Sequence, residues 1–192
     1  MIQQTVGHVN MMADVVLVNA SPEDLRAILR NMLSSKTPGL VTAFITSTRA
    51  RLHQRGAYGT VADLKQPFSD AEDVPAPQLL ASLARARMLY GSGLGFASLE
   101  PLSVVVRSTI GHRWTDEGKV AHTLVMADAD IAQGLQSCKE ELQGGAILDL
   151  EVGRAALDEL AAALEASQRD VAGWGGEFPF ERAMFSVQDF KL

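Results

Sequence analysis

The chain has 192 residues, 47% of them hydrophobic and 21% charged, with a formal net charge of −6. That balance supports a packed core in a single globular domain spanning 1–192 and excludes a disordered chain. No apolar run is long enough to cross a bilayer, and a single cysteine, Cys138, excludes an internal disulfide or a thiolate-rich metal centre. The N-terminus carries no basic region leading into an apolar one, so the expectation is a soluble cytoplasmic protein with no membrane partner.

Charge is unevenly distributed. Residues 1–96 hold nine Lys/Arg against seven Asp/Glu, and residues 97–192 hold eight against sixteen. A nucleic-acid binder needs a broad positive surface, and the second half offers the opposite.

Residues 1–12 carry no firm period and fit a loose arm or an edge strand. The β-branched run within Ala13–Asn19 predicts a short buried strand. A helix follows: Ser21 caps it, Pro22 takes the first position, and Glu23 and Asp24 suit its positive end. Its apolar stripe is Leu25, Ile28, Leu29, Met32 and Leu33, and it should stop near Ser34–Ser35. Residues 37–55 are read as a helix over a strand, although several β-branched residues favour the strand. Arg49, Arg51, His53 and Arg55 crowd at its end. Three prolines and an acidic cluster predict an exposed connection near 66–77. Gln78–Tyr90 reads as a helix, stopped by Gly91, Gly93 and Gly95.

The centre of the prediction is a β-hairpin: a strand at Leu102–Ile110, a turn at Thr115–Gly118 and a return strand at Lys119–Ala127. This register puts His112 and His122 on opposite faces of the sheet. A helix should then start at Asp130, with Gln133 completing a capping arrangement. Its buried line is Ile131, Leu135, Cys138 and Leu142. A longer helix covers Leu150–Arg169, with Leu157, Leu160 and Leu164 on its apolar face. The tail 171–192 carries Trp174, Phe178, Phe180 and Phe185, and packs back as irregular structure or docks on a partner. The predicted class is α+β, a small antiparallel sheet with its hairpin near 102–126 covered by four or five helices.

Sites are weak in the sequence. The glycines at 91–95 lack the third glycine of a dinucleotide fingerprint and the Lys-Ser/Thr of a phosphate loop, so a helix stop is the plain reading. No H-E-x-x-H or G-x-S-x-G occurs, so no metal site is predicted, and Cys138 reads as a core residue. Adjacent carboxylates such as Glu140/Glu141 do not share a side-chain direction. The catalytic candidates are His112, His122 and Asp116, as groups for proton transfer. An anionic small molecule would meet Arg49, Arg51, Arg107, Arg113 and the glycines Gly91, Gly93 and Gly95.

The sequence names no cofactor. The leading expectation is a non-catalytic protein that self-associates or binds another protein through Leu157, Leu160, Leu164, Trp174, Phe178, Phe180 and Phe185. Its rival is an enzyme or binding protein for a small anion at the glycine loop, beside His112 and Arg113.

Overall fold

In the computed structural model, which describes residues 11–56, 64, 67–69, 73–145 and 149–192, the apolar run from Leu102 is the middle of a helix. The protein is almost entirely helical, 74% helix against 2% strand, and the expected α+β class with a hairpin near 102–126 is corrected accordingly. Helices α1 (Met11–Asn19), α2 (Pro22–Ser34) and α3 (Leu40–Gln54) precede two short strands, β1 (Phe68–Ser69) and β2 (Val74–Pro75). Then come α4 (Pro77–Gly91), α5 (Gly95–Arg107), α6 (Lys119–Gln143), α7 (Leu150–Trp174) and α8 (Glu181–Gln188). The strands pair antiparallel, Phe68 opposite Pro75 and Ser69 opposite Val74. None of the helices is long and apolar enough to cross a membrane, among the described residues.

The chain divides into two units, Met1–Ser47 and Thr48–Leu192, with the boundary inside α3. The second unit holds the core. Its axis is α5, against which α4, α6 and α7 all pack, while α8 closes on α6 and α7. Because α5 is covered on every side, Phe96, Leu99, Leu102 and Val104–Val106 are all buried. A helix so enclosed needs no polar face, so its sequence loses the 3.6-residue alternation and reads like a buried strand. The helix-propensity penalty of a β-branched residue, roughly 0.5 kcal/mol, is small beside the ~1.5–3 kcal/mol from burying its side chain. Burial therefore decides the conformation.

The polar side chains of α5 are mostly satisfied locally. Ser98 donates to the Gly95 carbonyl at 2.6 Å, Ser108 to Val105 at 2.7 Å and Thr109 to Val106 at 2.7 Å. Thr109 also meets the Ser167 hydroxyl of α7 at 2.8 Å. The Ser103 hydroxyl is buried without a hydrogen-bond partner.

Other elements differ from expectation in type or start. Residues 13–19 belong to α1 rather than a strand. The return strand at 119–127 is the first part of α6, so Asp130 is mid-helix and caps nothing. The tail contains a helix, α8, and Phe180 and Ala183 are wholly buried. Within the 66–77 connection Phe68 is buried in the core; Asp70 and Glu72 lie outside the described residues, as do His8 and Tyr58. The Ser21 cap of α2 is present as predicted, its hydroxyl accepting from the Asp24 amide at 3.0 Å. Helices also stand at 40–54, 77–91 and 150–174, as the patterns require.

Candidate functional site

Three of the four arginines singled out for an anion have partners within the chain. Arg49 reaches from α3 to the end of α4, where its guanidinium donates to the carbonyls of Ser92 (2.6 Å) and Gly93 (3.2 Å). It thus serves the negative end of α4, whose last carbonyls have no helical partner. Arg107 pairs with Glu159 of α7, and Arg113 lies 5.5 Å from the ring centre of Trp174. Arg51 is exposed on α3.

The three glycines have structural duties. Gly91 ends α4, and Gly93 takes the left-handed conformation (φ +74°) against Arg49. Gly95 opens α5 so close to α6 that a Cβ would overlap the backbone of Ser137 and Cys138.

The proton-transfer candidates stand in different settings. The His112 ring packs edge-on to Phe68 at 5.3 Å, and His122 is exposed on the first turn of α6. Asp116 accepts from the Glu177 amide at 3.5 Å. Cys138 is fully buried, and burial, with Glu141 adding, pushes its thiol up and away from thiolate chemistry. Among the described residues no three His, Cys, Asp or Glu side chains are grouped to hold a metal ion.

Sequence reasoning missed a polar cluster between α4 and α6. Asp130 of α6 is buried and accepts from Arg87 through both oxygens (3.0 and 2.9 Å) and from the Tyr90 hydroxyl at 2.9 Å. Burial first, then the bond to Asp130, pushes the Tyr90 phenol up to about 12. Ser137, two turns further along α6, donates to the Tyr90 carbonyl at 3.1 Å. Arg87 and Tyr90, three apart, share one face of α4, so the cluster works as a clamp between helices.

A groove of about 240 Å³ opens where α6 begins. Ala121, Val125 and Asp128, spaced four and three apart, form one wall along α6. Trp114 and Asp116 of the preceding connection form a second, and Glu177, Phe178, Pro179 and Glu181 a third. Trp114 is braced edge-on by Trp174 at 5.2 Å and by Phe68 at 6.0 Å. Phe178 is braced by Phe180 at 5.8 Å. The lining includes four carboxylates and no basic side chain. Asp128 is half-buried; desolvation raises its carboxyl above the usual carboxylate range, although one oxygen accepts from the Ala183 amide at 2.7 Å.

The expected interface residues fall largely inside the core. Leu160, Leu164 and Phe180 are wholly buried and Leu157 nearly so, while Trp174 and Phe178 are partly covered by the core. Phe185 remains exposed, at 67%. The unit Met1–Ser47 has the opposite character: no residue from 13 to 47 is buried. Val15, Val16, Leu17 and Val18 of α1 are more than half exposed, Val18 reaching 75%, and Ile28, Leu29 and Met32 of α2 are 42–46% exposed.

No family model, curated protein or solved structure matches this chain.

Proposed function

We propose that this protein is a non-catalytic, cytoplasmic interaction protein that self-associates, a second copy covering the apolar faces of α1 and α2. The observation that carries this is the absence of any buried residue from 13 to 47 beside seven large apolar side chains exposed on α1 and α2. Helices of nine and thirteen residues are marginal without a packed face, because nucleation is costly and tertiary contact supplies most helical stability. A helix apolar nearly all round, as α1 is, calls for burial.

Residues 1–47 carry Arg26, Arg30 and Lys36 against Asp14, Glu23 and Asp24. That segment is neutral, so two copies meet without repulsion, and it lacks the basic excess that draws an amphipathic helix to an anionic lipid surface. Sedimentation velocity of the full chain from about 1 to 200 μM tests the reading, a span that covers association free energies of about −8 to −5 kcal/mol. A concentration-dependent shift from monomer to dimer is expected. A single monomeric species throughout refutes self-association.

A further inference from the structure

We propose that the groove at the start of α6 receives the side chain of an arginine or lysine presented by a partner polypeptide. This inference is independent of the N-terminal contact, because every residue it uses lies in the unit Thr48–Leu192. Three features of the site select the occupant. Two of its wall residues are aromatic, Trp114 and Phe178, each held by a perpendicular aromatic neighbour. An arginine or lysine stem gains apolar contact along such a wall while its head stays at the charged rim.

Asp116, Asp128, Glu177 and Glu181 are the charged residues of the lining; Arg182, outside it, acts on Asp128. The four carboxylates are not grouped closely enough to hold a metal ion, whereas a guanidinium or an ammonium on a long stem can address them one or two at a time. Asp128 is the deepest of these in consequence: a cation beside it offsets the desolvation that holds its carboxyl high. Volume supplies the third constraint. At about 240 Å³ the groove is smaller than the ~300–1,000 Å³ that encloses a drug-sized molecule, and it suits one long side chain with the flanking peptide lying outside.

The two tryptophans of the chain are Trp114, in the groove, and Trp174, packed edge-on against it, so intrinsic emission reports occupancy directly. The full chain is titrated with an acetylated, amidated tetrapeptide of alternating leucine and arginine. Its glutamate-for-arginine counterpart and butylguanidinium alone are titrated in parallel. A saturable change in emission is expected with the arginine peptide and none with the glutamate peptide. The double substitution Glu177→Lys with Glu181→Lys, both at exposed positions, should weaken binding by about tenfold or more, and added salt should weaken it in the wild type. Circular dichroism confirms that the variant keeps its helices.

The proposal is overturned by any of three results: no saturable change up to about millimolar peptide, equal response to the glutamate peptide, or affinity unmoved by the double substitution. Butylguanidinium binding as tightly as the peptide would also overturn it, since the occupant would then be a free small cation.

Discussion

Replacing Leu29 with aspartate on the exposed stripe of α2 tests self-association most directly. Seven side chains of α1 and α2 are between 42% and 75% exposed, about half on average. Complete burial of such a side chain is worth ~1.5–3 kcal/mol, so their uncovered halves hold roughly 5–10 kcal/mol per copy. Two copies together offer roughly 10–20 kcal/mol against an association cost of ~4–15 kcal/mol; the midpoints differ by about 5.5 kcal/mol, a dissociation constant on the order of 100 μM. Leu29→Asp removes about 0.6–1.3 kcal/mol of apolar burial from each copy and adds a carboxylate that the contact must desolvate. The combined loss of roughly 3–6 kcal/mol per dimer weakens association at least about a hundredfold.

Asn31→Asp, on the polar side of α2, adds the same charge and should leave association within about twofold. Neither position belongs to the core of the second unit, so the thermal midpoint should move little, as for other surface changes within about 0.5 kcal/mol. Sedimentation velocity of the three proteins at matched concentrations is the assay. Identical behaviour of Leu29→Asp and wild type, both dimeric or both monomeric, refutes the reasoning.

Other consequences follow from the second unit. Gly95→Ala forces a methyl group into the α6 backbone at Ser137 and Cys138; overpacking of this kind costs ~1–3 kcal/mol or more, a fall of roughly 3–10 °C in Tm by calorimetry. An unchanged midpoint would mean that α5 and α6 do not cross as closely as the structure places them. Asp130→Ala strands the Tyr90 hydroxyl and removes both guanidinium bonds of Arg87. Because the Arg87 side chain is 44% exposed it regains water, and the expected cost is about 2–3 kcal/mol, or roughly 5–10 °C in Tm.

For Asp128 the folded protein holds the proton more tightly than the unfolded chain does. Its ionisation therefore subtracts stability above the raised folded value, a penalty that disappears as pH falls below the ordinary carboxylate range. Asp128→Asn, which can still accept from the Ala183 amide, should equal or exceed wild type in urea unfolding at neutral pH and lose any advantage in acid. A neutral-pH deficit relative to wild type would reverse the assigned sign. Cys138 should resist a thiol reagent in the native protein and react once denaturant unfolds it; rapid native labelling would contradict its burial.

What the sequence made legible was the helices with one apolar and one polar face. Ser21-Pro22 marks the start of α2, and the apolar stripes of α4 and α7 repeat at helical spacing because one face of each meets solvent. Cys138 was placed correctly because Ile131, Leu135 and Cys138 share one buried line on α6. Residues 13–19 were misread because the β-branched run of α1 suggests a strand, and the stretch 102–127 failed for two reasons. Complete burial of α5 erased its alternation, and the polar Thr115–Gly118 segment between two apolar runs looks the same whether it joins strands or helices. Once the hairpin was assumed, the start of α6 was displaced by eleven residues, from Lys119 to Asp130. The groove was invisible because Trp114, Val125 and Phe178 come from three segments that only the fold brings together.

Three carboxylates have a structural use that neighbouring residues do not reveal. The residues just before α5, α6 and α8, namely Leu94, Gly118 and Phe180, provide no side-chain cap. Each of these helices is capped instead by a carboxylate far along the chain. Glu141 accepts from the Phe96 amide at 3.1 Å, Asp73 from the Lys119 amide at 2.6 Å and Asp128 from the Ala183 amide at 2.7 Å. A carboxylate at a helix N-terminus answers both the unpaired amides and the positive end of the peptide dipoles. Because these caps are supplied between elements, they tie α6 to α5, the β2 turn to α6 and α6 to α8, fixing the bundle's order as well as its helix ends. Glu177 stands apart from these caps, and Glu181 lies in the first turn of α8; both are exposed and both line the groove. Their charge is therefore available to a cation from outside, which is why they are the pair whose reversal separates a binding role from a folding one.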